Sequence, residues 1–471
     1  METLAMAAVS SVAAGPSTNG CPAGMAINQF EENVEHLRQL FSQNKLVSFS
    51  IAHIACSAGS SSGDNYMSVV KRVTISQAVA RDQEQPAANE TVTVIVKRQI
   101  ASLSRRQLYR CEEAFSNEIN AYRHLVPLLA AHSRQQLFPV CHIADSHDRR
   151  PPQDSNGEAG EPIIVLQDLK TLGFRMKDRL VGLELGDCIL VMKKLAQLHA
   201  ASLAAQQLDF PHFVAQARNL REIVYCEEAA EFYATILDTS VQQALDSLGG
   251  SNADGSLTTP IRLLEQIRPN LYDKLKQEIN AAGETPFSVI SHGDLWVNNI
   301  MFRSQPEEVI FFDLQAMRRT SPVFDILHFI YTSTRRDFRD VHTDTLLAAY
   351  SEALGQELVH QLEDTPAGER LEELCEAFSL QRLSAEYVRQ VHYGLAIGMW
   401  ILPAVTFDTN NLPNLDVISE QNLCCKEIKC TQMLTAEYHL RIRELVMEFY
   451  DLGYLHMEKQ SIHSQLHAKI P

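Results

Sequence analysis

Hydrophobic residues fall into two regimes along this chain. Up to about residue 167 strand-like stretches are interspersed with two helical ones, and beyond it hydrophobic residues recur mainly every three to four positions. Val69–Ser76 and Thr91–Gln99 are rich in Val, Ile and Thr and read as strands. In the second, Val92, Val94 and Val96 share one face while Thr93, Ile95 and Lys97 share the other. The polar passage Gln77–Glu90, with Pro86, joins them as a hairpin. Val140–Ala144 and Ile163–Leu166 read as two further strands flanking a polar surface loop, Asp145–Pro162. Helical spacing marks Phe30–Phe41, through Phe30, Val34, Leu37, Leu40 and Phe41, and also Cys111–Ala130. After Leu169 the pattern is helical: Asp187–Leu203, most of Phe210–Ala282 with a break at Gly249–Ser256, and further segments to about Met457. The pattern predicts an α+β chain with a small strand-rich lobe over 28–167 and a larger helical lobe over 168–457. A disordered, Ala/Ser-rich N-terminal tail is expected at 1–27 and a C-terminal tail at 458–471.

One stretch breaks the helical regime. Ser291–Gln315 reads SHGDLWVNNIMFRSQPEEVIFFDLQ, with Asp294 five residues before Asn299 and Asp313 further on. That order fits phosphoryl transfer: a carboxylate to take the acceptor proton, then two oxygen ligands for Mg²⁺. The apolar runs Ile300–Phe302 and Val309–Phe312 flank a polar turn containing Pro306, which is a β-hairpin pattern. Pairing symmetric about Pro306 predicts Asn299 directly opposite Asp313, within reach of one metal ion. A slip of one residue would turn one ligand away.

Charge and composition narrow the field. Lys and Arg total 41 against 58 Asp and Glu, a formal net charge of −17. A general nucleic-acid binder needs a basic surface, so that class is excluded. No apolar run approaches the roughly 20 residues that span a bilayer, so no membrane span is expected. The N-terminus has Glu2 where a signal peptide carries positive charge, and it lacks arginine. The 10 cysteines, including Cys424, Cys425 and Cys430, lack CxxC spacing. These features predict a cytoplasmic protein with neither a zinc site nor a disulfide framework.

The upstream half supplies partners for the Ser291–Gln315 stretch. Lys97 ends its strand, and Glu118 follows about 20 residues on in the helix FSNEINAYRHL, the order of the ion pair that holds phosphates in kinases. Ala55–Tyr66, ACSAGSSSGDNY, has no GxGxxG, but Gly59 and Gly63 with the intervening serines suit a phosphate-cradling loop. At the lobe boundary, IVLQDL offers backbone groups around Gln167 and Leu169 for an adenine edge. His199, in LAQLHAAS, reads as a packing histidine. Trp296, Tyr393 and Trp400 are candidate walls for an acceptor pocket.

With these residues in place, the chain resembles the ecdysteroid kinase-like family of insects, within the wider choline kinase and aminoglycoside phosphotransferase group. The motifs are GDNYMSVVKRV, the Lys97 strand, FSNEINAYRHL, IVLQDL, LAQLHAAS, SHGDLWVNNIMF and FFDLQ followed by Asp325, over roughly Ser42 to Tyr454. The resemblance implies a bilobal protein-kinase-like fold, ATP with Mg²⁺, and phosphorylation of a hydroxyl on a small molecule. By matching motif positions it makes Asp294 the base and Asn299 and Asp313 the metal ligands. Lys97 becomes the phosphate lysine with Glu118 as its partner, His292 supports the loop, and Asp325 anchors its backbone. Gln167 stands where the family usually has Glu, and Leu314 where it usually has Phe. The acceptor is expected to be an ecdysteroid. Rival readings are a detoxifying kinase for plant or xenobiotic hydroxyl compounds, a pseudokinase binding module, and a metal hydrolase using His292 and Asp294.

Overall fold

β-Branched residues on alternating faces build the first lobe around one antiparallel sheet. In a computed structural model the chain is described over residues 34–59, 67–77, 90–146, 162–408 and 434–456. Strands β1 (Ile51–Ala58), β2 (Ser68–Gln77), β3 (Thr91–Gln99), β4 (Cys141–Asp145) and β5 (Ile163–Gln167) lie in the order β1-β2-β3-β5-β4. The helix Val34–Gln43 lays Leu37, Leu40 and Phe41 among Val73, Ile75, Val94 and Val96. Lys97 and Ile95 therefore occupy the opposite face, as the alternation predicts. There the helix Cys111–Asn120 continues through a π turn, Ala121–Leu125, into Val126–Ala130, covering the predicted range.

Strand β1 has no counterpart in the sequence reading. IAHIACSA mixes small and polar residues, and only Ile54 within it is buried, so no alternation betrays it. Its presence moves Ala55–Ala58 out of the expected phosphate loop and into the sheet. Gly63 and the serines at 60–62 lie outside the described residues. So do the cysteines at 424, 425 and 430, and both predicted tails.

The second lobe is helical around Leu185–Leu208 and Arg336–Leu362, which pack along each other. Leu185–Leu208 is 24 residues long and, by length and composition alone, apolar enough to cross a membrane. Its most apolar window is 78% buried within the protein, which is how a core helix is placed.

Two short sheets interrupt these helices. Strand β6 (Val289–Ser291) pairs with β9 (Arg318–Thr320), and β7 (Ile300–Ser304) pairs with β8 (Glu307–Phe311). The β7–β8 hairpin forms as predicted, but its register is one residue off. Ile300 faces Phe311, and Phe312 N–H donates to the Asn299 carbonyl at 3.1 Å. Asn299 therefore sits across from Phe312 and not Asp313. The slip does not simply turn Asp313 away, because Asp313 has left the strand: its backbone is left-handed, φ 68° and ψ 69°. Strand alternation no longer sets its side chain.

Candidate active site

The segment between β6 and β7 is held from behind. Asp325 stands in the first turn of the helix Pro322–Ser333. Its carboxylate accepts the N–H groups of His292 at 2.7 Å and Gly293 at 2.9 Å, and faces His199 Nε2 at 3.2 Å. Burial works against charge on Asp325, yet these bonds outweigh it and hold its pKa below the usual carboxylate value. His199 passes its other nitrogen to the Tyr350 hydroxyl at 2.7 Å and so packs behind the loop, as expected. Arg318 donates to the Gly293 carbonyl at 2.9 Å and pairs with Glu222 at 3.0 Å.

Gly293 is left-handed, φ 81°, and a Cβ there would lie 2.0 Å from the Ala316 carbonyl oxygen. No side chain fits such an approach. Gly293→Ala is expected to destabilise the protein by about 3 kcal/mol or more, read as a large fall in melting temperature. A wild-type melting curve would show that the loop runs differently.

His292 is buried, and burial lowers its pKa so that it stays neutral. Its Nε2–H donates to the Phe312 carbonyl at 2.9 Å, while Nδ1 faces the Asp294 N–H at 3.4 Å. The imidazole thus braces the loop against the strand that leads to Asp313. Both of its nitrogens are occupied, which fits support and not reaction.

Asp294 is fully buried, with one carboxylate oxygen 3.2 Å from Asn299 Nδ2 and the other 3.3 Å from His328 Nε2. Asn299 Nδ2 also donates to the Asp294 carbonyl at 2.8 Å. These two bonds commit the Asn299 amide nitrogen to the Asp294 residue. His328 completes a chain by pairing Nδ1 with the Tyr393 hydroxyl at 3.1 Å. Burial lowers the His328 pKa while neighbouring Asp294 opposes that. The sequence reading missed His328, because FDILHFIY reads as an ordinary apolar helix face.

Lys97 joins the lobes. Its ammonium lies 2.6 Å from Glu118 and 2.7 Å from Asp313. All three side chains are buried. Burial pushes the Glu118 carboxyl up, Lys97 pulls it down, and Asp313 pushes it up again, with a net upward shift. One lysine between two carboxylates leaves excess negative charge in a region that solvates it poorly. The second Asp313 oxygen meets only a neutral donor, Gln315 Nε2, at 3.1 Å. The Asp313 carboxylate and the Asn299 side-chain oxygen are both hard oxygen groups, the donor type that Mg²⁺ takes. Among the described residues no group of three or more His, Cys, Asp or Glu side chains forms a metal cage.

Asn117, beside Glu118, fixes the same helix to the second lobe. Its Nδ2 donates to the Gln315 and Met317 carbonyls at 2.9 and 3.2 Å, and its Oδ1 accepts Arg221 N–H at 2.9 Å.

Three sequence expectations need correction. Gly59 gives its N–H to the Val70 carbonyl at 3.1 Å, so that donor is not available to phosphate. A Cβ on Gly59 would lie 2.8 Å from Val70 Cγ1 and 3.1 Å from strand backbone, so glycine is required there for close packing. Gln167 Oε1 accepts from Gln136 Nε2 at 2.8 Å, and its backbone N–H donates to the Val140 carbonyl at 2.8 Å. The Gln167 N–H is therefore not available to an adenine edge, while the Leu169 side chain packs with Phe174, Met301 and Ile310. Trp296, Tyr393 and Trp400 are 5%, 1% and 1% exposed and serve as core rings, not as walls of an open pocket. Trp400 packs on Tyr233, and Tyr393 packs edge-on to Phe324.

The family model of the ecdysteroid kinase-like family matches residues 62–363, more than half of the chain and a shorter span than the motifs suggested. No curated protein matches. Solved structures with a similar course include an ethanolamine kinase of Plasmodium vivax, at 12% identity and TM-score 0.36, over 83% of this chain and 86% of that one. A microcompartment-associated aminopropanol kinase gives 12% and 0.36, over 83% and 99%. A choline/ethanolamine kinase family protein from Mesorhizobium loti gives 10% and 0.30, over 88% and 99%. Likenesses this distant carry no functional argument. The two-lobed kinase-like arrangement and the family match agree, and the chain belongs to the ecdysteroid kinase-like family, as a small-molecule kinase.

Proposed function

We propose that the protein transfers the γ-phosphoryl group of ATP, with Mg²⁺, to a hydroxyl of a large apolar acceptor of the ecdysteroid type. The observation that carries the phosphoryl-transfer reading is Lys97 bound at once to Glu118 and Asp313, at 2.6 and 2.7 Å. That arrangement supports a phosphate-binding role for Lys97 and a metal-binding role for Asp313. Asp313 and Asn299 would hold Mg²⁺, which when bound neutralises charge on the phosphate oxygens.

Each of the other groups has its own task. Lys97 pairs with the α- and β-phosphates. Glu118 holds Lys97 in line. Asp294, steadied by Asn299 and His328, orients the acceptor hydroxyl. An alcohol is too weak an acid to ionise first, so Asp294 takes the proton late, as the new P–O bond forms. His292 and Asp325 hold the loop in the geometry this requires.

The acceptor class rests on the family match, with modest support from composition. A quaternary ammonium site is built as an aromatic cage, and aromatic residues are only 7% of this chain. In competition at matched concentrations, ecdysteroids are expected to be phosphorylated and choline ignored. Efficient phosphorylation of choline with no turnover of ecdysteroids would overturn the acceptor assignment and leave the kinase reading standing.

A further inference from the structure

The face of the sheet that carries Lys97 holds a second charged pair, which none of the roles above uses. Arg72 in β2 makes a two-pronged bond to Asp168, with Nε at 2.7 Å and Nη2 at 3.1 Å from its two carboxylate oxygens. The register fixes where this pair lies. Val70 pairs with Lys97 and Arg72 with Ile95, so Arg72 shares the Lys97 face. Ile95 in turn pairs with Leu166 of β5. Asp168 follows two residues later with extended backbone, φ −82° and ψ 98°, and stays on that face. Strand β3 lies between β2 and β5. To reach Asp168, the Arg72 side chain must therefore cross the sheet over β3 beside Ile95. Ile95 stands two residues from Lys97, a step of about 6.6 Å along the strand.

That step runs from the phosphate end of the site toward the link between the lobes. Val94 pairs with Gln167, whereas Lys97 pairs with Ile164. A nucleotide with its phosphates at Lys97 and its base toward the link places the base against the Arg72–Asp168 pair. Just past Asp168, Leu169 begins the small apolar cluster with Phe174, Met301 and Ile310, and Phe312 packs on it. This supplies an apolar surface from the catalytic hairpin next to the same point.

The pair is built as a fixture. Asp168 is 2% exposed, and it also accepts the Lys170 N–H at 3.1 Å, capping the turn Leu169–Leu172. The Arg72 side chain keeps 28% of its surface accessible. A planar guanidinium held by a carboxylate fork can stack on an aromatic ring as well as attract it, whereas an ammonium offers only a point charge.

We infer that Arg72, clamped by Asp168, forms the sheet-side wall of the purine subsite, with its guanidinium against the face of the base. The inference rests on the ATP-dependent reading above and names a residue that binds the nucleotide through its base. The test is calorimetric titration of the full chain with Mg·ATP and, separately, with Mg²⁺ and inorganic tripolyphosphate, which carries the charge without the base. Arg72→Met and Arg72→Lys are expected to bind ATP about tenfold more weakly and tripolyphosphate within about twofold of wild type. Arg72→Lys keeps a cation for Asp168 and protects the fold, so its loss isolates the planar face. Lys97→Met is expected to lose both ligands. Unchanged ATP affinity in Arg72→Lys, or equal losses for ATP and tripolyphosphate, would overturn the inference while leaving the kinase reading intact. A wild-type protein that binds no Mg·ATP would overturn both.

Discussion

Asp294→Asn is expected to lower kcat by about 10²–10⁴-fold while leaving the fold and Mg·ATP affinity close to wild type. The carboxylate faces donors on both sides, Asn299 Nδ2 at 3.2 Å and His328 Nε2 at 3.3 Å. An asparagine must turn its oxygen to one and its NH₂ to the other. Asn299 has no alternative to donating there, because its Nδ2 is also committed to the Asp294 carbonyl. His328 can adapt. With Nε2 bare it accepts from the new amide, and Nδ1–H then donates to the Tyr393 hydroxyl. The site therefore tolerates the substitution sterically and loses only a group able to take a proton. Steady-state kinetics beside a melting curve would check this. More than a tenth of wild-type kcat in a folded variant would remove Asp294 from the role of base.

Asp313→Ala carries the second large effect. Losing a charged metal ligand is expected to weaken Mg·ATP binding by at least about 100-fold, with Asn299→Ala milder because it removes a dipole and not a charge. Stability should move little. The substitution leaves Lys97 and Glu118 as a neutral pair in place of one cation between two anions, so the lost hydrogen bonds are offset by relief of like-charge repulsion. Titration of Mg·ATP into the folded variant tests the point. Wild-type affinity would rule out Asp313 as a metal ligand.

The chemistry was more legible in the sequence than its placement. Asp294, Asn299 and Asp313 announce themselves because residue type and spacing within one short stretch carry the signal. Lys97 and Glu118 follow from a strand and a helix, each with clear periodicity. The hairpin register was off by one because nothing local shows that the turn centres between Gln305 and Pro306, or that Asp313 takes a left-handed backbone. Strand β1 escaped because its residues do not alternate. His328 and Tyr393 reach Asp294 from helices 34 and 99 residues downstream, and the Arg72–Asp168 pair spans 96 positions. Contacts of that range are created by topology, and no spacing rule within one element encodes them.

The double anchorage of the helix Cys111–Asn120 bears on how this protein could be inhibited. Glu118 ties that helix to the first lobe through Lys97, and Asn117 ties it to three backbone groups of the second. A compound that works by prising the helix outward would have to break a buried ion pair and three buried or half-buried hydrogen bonds together. Each lost bond to a buried group costs roughly 1–3 kcal/mol, and the losses together would consume much of the binding energy of a drug-sized ligand. Selective compounds are better sought at the purine wall, where Arg72 supplies an accessible charge that a designed ring can exploit.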